Sequence, residues 1–346
     1  MDNIKKKLKN MSDTNLLLTI TIVVFFIMYI GAIIFQGAGW LKAQALFNIL
    51  NAQAALIITS CGMSLVMITG GIDISVGGVV ALVSMCCAVY LDHPDNPDAA
   101  DGNLFIAFLI AILIGLAFGV VQGYLVAYLD IQPFIISLAG MFFARGMTTI
   151  VHTNPFNVEN EAFKALKNTR INIPGLGSVN KKGKYVPAYI EIGVVVALLI
   201  VILLYVALKW MKIGRNFYAV GGNKQSALML GINVKQTKFL AHLLCSLLAG
   251  IGGFVYFLHV GSGSASHASG MEMNAIASSI IGGTMLTGGV GNIIGTLFGV
   301  LSLSTIQNIV SSAGLDQAWW TGITVAAMLC VFLVVQSVIM ARKAKA

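Results

Sequence analysis

Long apolar runs, separated by short polar or glycine-rich stretches, recur from one end of the chain to the other. An α-helix needs about 20 apolar residues to cross ~30 Å of hydrocarbon, and most of these runs are long enough. The pattern predicts ten spans: about 16–35, 45–68, 74–91, 104–129, 134–151, 189–210, 239–259, 272–286, 290–311 and 319–340. Glycines 282, 283, 288, 289 and 291 interrupt the eighth, for which a re-entrant hairpin is the alternative. The first run is too long for the apolar region of a signal peptide and is followed by many more, so it reads as a retained helix.

The polar islands divide these spans. Thr69 to Gly78 is a glycine-rich break around Asp73 and Ser75. Residues 92–103 carry His93, two prolines and four aspartates; 130–133 is a tight turn; 152–187 is a long hydrophilic segment with Asn-Pro, Pro-Gly and Lys-Lys-Gly turn signals. Residues 261–270 are a small, flexible Gly/Ser/Ala/His stretch, read as an outer gate or a partner contact. In 212–235, Asn223 is placed to cap a short helix opening at Lys224 and running through Ala227 to Leu230, with Gly231 as its stop. Such a stub is too short to be stable alone, but held between two spans it can press an apolar face into a groove on another subunit.

Composition agrees: 58% of residues are hydrophobic and 10% charged, the balance of a polytopic all-α membrane protein, expected to form a single transmembrane domain over 1–346. The formal charge of +8 is therefore a matter of distribution across a membrane, and it gives no reason to expect a nucleic-acid partner. The segment 152–188 is expected outside and 212–235 inside. With both termini inside, Lys5, Lys6, Lys7, Lys9, Lys209, Lys212, Arg215, Lys224, Lys235, Lys238, Arg342, Lys343 and Lys345 gather on the cytoplasmic side. The five cysteines lie in apolar segments without metal-ligand spacing and read as small core residues.

No His-Glu-x-x-His, Gly-x-Ser-x-Gly or Walker motif occurs, so neither an intramembrane enzyme nor a self-powered pump is expected, and no metal or cofactor is expected in the chain. The 37 glycines suit helices that approach closely and shift between states. Two classes remain: an ion-coupled secondary transporter of a small neutral solute, or a permease driven by a separate ATPase. Ion coupling keeps ionisable groups near the midplane. The candidates are Asp73, Arg145 and Glu272, none with a partner at helical spacing, so a neutral substrate moved by an external motor fits better. His242, His259 and His267 are scattered without carboxylate partners and read as packing residues, and Arg145 as reaching a helix end or loop carboxylate. Asp73 has two readings: with Ser75 it holds a broken helix near a solute path, or it simply caps the third span.

Three blocks carry a family resemblance. Gly70-Gly71-Ile72-Asp73-Ile74-Ser75-Val76-Gly77, Tyr218-Ala219-Val220-Gly221-Gly222-Asn223 with Ala227, Gly231 and Ile232, and Glu272 to Ala277 with Ile281 to Thr284 and Thr287 to Gly291 resemble the permeases of bacterial ribose/xylose/galactose-type ABC importers. Residues 136–146, 288–300 and the Trp319-Trp320-Thr321 start of the last span look closest to a permease of the galactofuranose importer. One departure is Asn274, where the family's third block usually has Asp. The resemblance implies a monosaccharide importer in a bacterial inner membrane. Its partners would be an extracytoplasmic sugar-binding protein, a second, different permease, and a cytoplasmic ABC ATPase that holds ATP and Mg. It also implies that Tyr218, Ala219, Gly221, Gly222, Asn223, Lys224, Ala227, Leu230 and Gly231 form the ATPase-coupling surface.

Solute contacts are expected from Asn48, Asn51, Gln53, Asp73, Ser75, Glu272, Asn274, Ser278, Gln307 and Asn308. Thr69-Gly70-Gly71-Ile72 and Thr287-Gly288-Gly289-Val290 resemble each other, with Gly77 and Gly295 at the same offset, which suggests a parallel internal repeat.

Overall fold

The computed structural model describes residues 13–95, 102–179, 185–315 and 318–344. The N-terminal lysines 5, 6, 7 and 9, the middle of the 92–103 loop and Lys345 lie outside the described residues. The helices are α1 (Asp13–Gln36), α2 (Ala43–Ile68), α3 (Val76–Leu91), α4 (Leu104–Ala127), α5 (Pro133–Val151), α6 (Glu161–Lys167), α7 (Ile192–Trp210), α8 (Lys212–Gly222), α9 (Lys224–Met229), α10 (Val234–Val260), α11 (Met271–Ile281), α12 (Ile293–Ser312) and α13 (Ala318–Ala344). Eight of them are long and apolar enough to cross a membrane; α3, with 16 residues, and α11, with 11, are shorter.

Side-chain caps set several boundaries. Asn103, Asn223, Asn233 and Asn292 each accept a hydrogen bond from the first turn of the helix they precede, satisfying amides that no intrahelical carbonyl reaches. Pro133 opens α5, and Gly261, at φ +81°, closes α10.

The core is built around α2 and α10. From Ala54 to Ile68 every residue of α2 is buried. On α4, Ala107, Ala111, Gly115, Gly119 and Gly123 recur every fourth residue on the buried face. A Cβ on Gly115, Gly119 or Gly123 would meet α10 backbone at Ser246, Leu243 or Phe239 within 2.7–3.0 Å. Small residues at that spacing let two helices pack backbone to backbone, where the loss of lipid contact and the gain in dispersion drive association. Large apolar side chains on α1, α4, α5, α7 and α13 point outward, as a lipid-facing perimeter requires: Ile27, Leu113, Phe142, Ile202 and Val334 are all more than half exposed.

Counting α3 and the segment 261–281 with the eight long helices, the described chain makes ten passes between an end carrying α8 and α9 (here the lower end) and an opposite, upper end. The eighth traverse differs from the predicted helix over 272–286. It descends from Gly261 as irregular backbone beside α3, and only its lower half, α11, is helical. Gly263 sits against Ala88, His267 Nδ1 lies 3.2 Å from Ser84 Oγ, and Glu272 packs on Gly77. The stretch 261–270, expected as an outer gate or a partner contact, is thus threaded along α3, and the glycines of 282–291 form the turn that follows α11.

The hydrophilic segment 152–187 is folded, not a plain loop. Strands β2 (Arg170–Val179) and β3 (Tyr185–Glu191) make an antiparallel hairpin with an irregularity between Ile173 and Gly177, beside α6. Two-residue strands β1 (Phe156–Asn157) and β4 (Ser262–Gly263) tie this cap to the start of the broken traverse. The sixth predicted span therefore starts three residues late: Tyr189 belongs to β3, and α7 begins at Ile192.

Candidate functional site

At the lower end, α8 and α9 form a helix–turn–helix of which the sequence pattern shows only the second half. Gly221 and Gly222, expected as punctuation, end α8. Asn223 Oδ1 accepts from Ser226 N at 2.9 Å and opens α9; Gly231, at φ +74°, follows it. Ala227 points inward, 1% exposed, packed with Val220 and Val234. It is therefore an anchor and not part of an outward contact face. The outward face is Leu228, Met229 and Leu230, which are 53%, 87% and 77% exposed. The Ala among larger apolar residues was the available signal for this division. Lys224 Nζ lies 3.6 Å from Asp130 in the α4–α5 turn.

Three glycine turns meet behind this stub. Gly289 N donates to Ile68 O at 2.9 Å, joining the turn after α11 to the end of α2. A Cβ on Gly221 would overlap the Ile68 carbonyl oxygen and come within 2.6 Å of Gly289 N. One on Gly288, which sits at φ +85°, would lie 2.9 Å from Gly221 O and 3.0 Å from Gly70 N. The two Thr-Gly-Gly turns noted in the sequence thus face each other, each linking a descending helix to an ascending one. Tyr218 donates to Gly291 O at 2.9 Å; burial pushes its phenol up to about 12, so it stays a neutral donor.

Asp73 is fully buried. Its Oδ1 accepts from Ser75 N at 3.0 Å and Ser75 Oγ at 2.6 Å, and its Oδ2 from Ser246 Oγ at 3.4 Å. Ser75 Oγ in turn accepts from Gln122 Nε2 at 2.9 Å. The break is therefore a closed polar knot linking α2–α3 to α4 and α10. Neither Asp73 nor Ser75 opens onto a cleft.

The upper half carries two abutting clefts that share Ala52 and Gln53. One, of about 380 Å³, is bordered by Gln53, Leu56, Tyr256, Ser266, Ser269 and Asn274 among others. The other, of about 390 Å³, is bordered by Trp40, Asn48, Gln53, Ser304 and Asn308. The lining described for the two clefts contains no charged side chain. The structure thus brings together Asn48, Gln53, Asn274 and Asn308 from α2, α11 and α12. It does not bring the rest. Asn51 is buried and accepts from Glu191 N at the α7 start; Ser278 is fully buried against α12; Glu272 is buried against Gly77; Gln307 is half-buried outside the lining. Ser266 and Ser269 were missed because an irregular descent of 261–270 leaves no periodic trace; Tyr256, Trp40 and Ser304 were missed because nothing in the pattern of their helical segments separates a cleft-facing side chain from a packed one.

Two further expectations change. Arg145 and Glu272, unpaired at helical spacing, are 4.0 Å apart in space. His259, expected without a carboxylate, lies 2.7 Å from Glu191 Oε2.

Comparison with known proteins defines the class. Residues 45–333 match the family described as branched-chain amino acid transport system / permease component, and the chain belongs to that family. It is a multi-pass inner-membrane permease subunit, not itself catalytic. It is 35% identical over 327 residues to the inner membrane ABC transporter permease protein YjfF of Escherichia coli (strain K12), covering 94% of this chain and 93% of that one. It is 32% identical to the fructose import permease protein FruG of Bifidobacterium longum (strain NCC 2705), covering 95% and 93%, and 32% identical to the ribose import permease protein RbsC of Escherichia coli (strain K12), covering 78% and 79%. No solved structure matches the chain.

Proposed function

We propose that this chain is one permease subunit of an ATP-driven ABC importer that carries a neutral monosaccharide across the inner membrane. The observation that carries this reading is the convergence of Asn48, Gln53, Asn274 and Asn308 on two abutting clefts whose described lining is uncharged. Amide side chains both donate and accept, which suits sugar hydroxyls, and an uncharged wall gives an ion no counter-charge. The departure at Asn274 fits as well, since an amide serves a hydroxyl where a carboxylate is not needed. Relatives named for fructose and ribose import support the same substrate class, and the blocks at 136–146 and 288–300 favour galactofuranose or a related pentose or hexose.

The lower end is then cytoplasmic, which the cluster of Lys209, Lys212, Arg215, Lys224, Lys235 and Lys238 supports. A separate ATPase, holding ATP and Mg, docks on Leu228, Met229 and Leu230. Its push passes from α9 through the Val220–Ala227–Val234 cluster to α8, and through the glycine contacts to the ends of α2 and α11. Since α11 carries Asn274 at its other end, the cleft wall moves with the stub. A second, different permease supplies the facing half of the path, and an extracytoplasmic binding protein delivers sugar at the hairpin cap.

The test is uptake of labelled galactofuranose, ribose, galactose and fructose by cells expressing the chain with its partner subunits. One of these is expected to accumulate, to require the ATPase, and to fall at least tenfold in Asn274→Ala and Gln53→Ala chains that still co-purify with the ATPase. Uptake that survives loss of the ATPase and collapses with a protonophore would instead make the chain an ion-coupled transporter.

A further inference from the structure

The irregular half of the eighth traverse raises a specific problem. Backbone that is not helical, inside a membrane bundle, has carbonyls without intrasegment donors, and it persists only where protein supplies them. Between α10 and α11 backbone amides supply part of this, Val158 N to Gly261 O at 3.2 Å and Met271 N to Ala268 O at 3.2 Å among them, and one side chain supplies two further donors. Arg145 on α5 donates through Nη1 to His267 O at 2.5 Å and through Nη2 to Ala268 O at 2.7 Å. Ala268 itself sits at φ +51°, a left-handed conformation that a residue with a Cβ holds only when its surroundings impose it. The two carbonyls flank that strained position, so the guanidinium grips the segment at the residue that most favours letting go. A planar fork spans two consecutive carbonyls in fixed register; an ammonium does not.

A second acceptor waits beside the first. Glu272 Oε2, at the opening of α11, is buried, has no hydrogen-bond partner among the described residues, and lies 4.0 Å from Arg145 Nη2. A buried carboxylate oxygen without a hydrogen bond is costly, and closing the 4.0 Å ion pair to a bidentate Arg–carboxylate pair would relieve that cost. Ser266 and Ser269, on either side of the gripped carbonyls, border the cleft that Asn274 also borders.

We propose that Arg145 is a positioning residue that latches residues 266–269 into the cleft wall, and that Glu272 is the acceptor it moves to when the wall shifts during transport. The proposal rests on the reading of the clefts as the sugar path, but the latch itself is measured without any sugar.

The experiment uses the full importer in membranes. Ser269→Cys is introduced alone and with Arg145→Lys, Arg145→Gln or Glu272→Gln, and the rate of labelling by a membrane-impermeant maleimide is followed. With the latch intact, labelling has one rate. Arg145→Lys and Arg145→Gln are expected to raise it at least fivefold, and Glu272→Gln to lower it or leave it unchanged, because the carbonyls then keep the guanidinium. In uptake, Arg145→Lys is expected to lower the maximal rate at least tenfold while the binding-protein concentration giving half-maximal uptake stays the same, a split that general unfolding does not produce. Equal labelling of Ser269→Cys in chains that keep Arg145 and in chains that carry Arg145→Lys, at equal chain levels, overturns the proposal. Should an Arg145 variant fail to accumulate, Glu272→Gln alone still decides: faster labelling there contradicts Glu272 as the second acceptor. A separate arm tests the path reading, since Asn274→Cys carrying a bulky maleimide should stop uptake. If it does not, that reading fails while the labelling result stands.

Discussion

Gly289 N donates to Ile68 O at 2.9 Å, and that bond exists because neither Gly289 nor its neighbour Gly221 has a side chain to keep the strands of backbone apart. Gly289 sits at φ +75° with Gly222 backbone 2.7 Å from where its Cβ would be, so Gly289→Ala meets both strain and overlap. Each effect is of order 1–3 kcal/mol. The purified chain should lose several degrees of unfolding temperature in detergent. Gly222→Ala, with nothing within 4 Å of the added Cβ, should leave it unchanged.

The stub makes a second contrast. If the ATPase docks on the proposed face, Met229→Asp should reduce co-purifying ATPase at least tenfold without changing the amount of chain in the membrane, because Met229 is 87% exposed. Ala227→Leu should instead lower the chain's stability, since Ala227 is buried against Val220 and Val234. The Lys224–Asp130 pair is more than half exposed on both sides, so Lys224→Glu should cost little, and the double exchange Lys224→Asp with Asp130→Lys should restore that little.

Asp73→Asn distinguishes a cap from a knot. At an exposed cap Asn serves as well as Asp. Here three donors converge on the carboxylate, and an amide nitrogen turns a donor toward at least one of them. The substitution should destabilise the chain by about 1–3 kcal/mol, read as a lower unfolding temperature and reduced accumulation.

Tyr218 supplies the pH test. Its phenol is raised from 10.0 to about 12 by burial, so the folded chain holds that proton where an unfolded chain releases it. The associated stability is constant below pH 10 and is lost as pH rises from 10 toward 12. Tyr218→Phe should remove this alkaline loss, along with the bond to Gly291 O, and leave stability at pH 6–9 lower by about 1 kcal/mol.

The eight helices long and apolar enough to span were legible because lipid demands runs of apolar residues, and the Asn223 cap because its chemistry is local. The descent of 261–270 was not, since no period marks irregular backbone held by a residue 122 positions away, as Arg145 holds His267. Six of the ten expected path residues fell elsewhere for a related reason: a polar side chain in a span looks the same whether it faces a cleft, as Asn274 does, or caps a neighbour, as Asn51 does. Leu228 and Met229 were inside the recognised helix, yet which side faced out depended on Val220 and Val234 packing behind Ala227.

The central claim is that the stub and the cleft wall are mechanically joined through the glycine contacts. Gly221→Ala tests it most directly, because a Cβ there overlaps the Ile68 carbonyl without touching the docking face or the cleft. In the assembled importer this variant should retain the ATPase at wild-type level while sugar uptake falls at least tenfold. Normal uptake by Gly221→Ala would contradict the account.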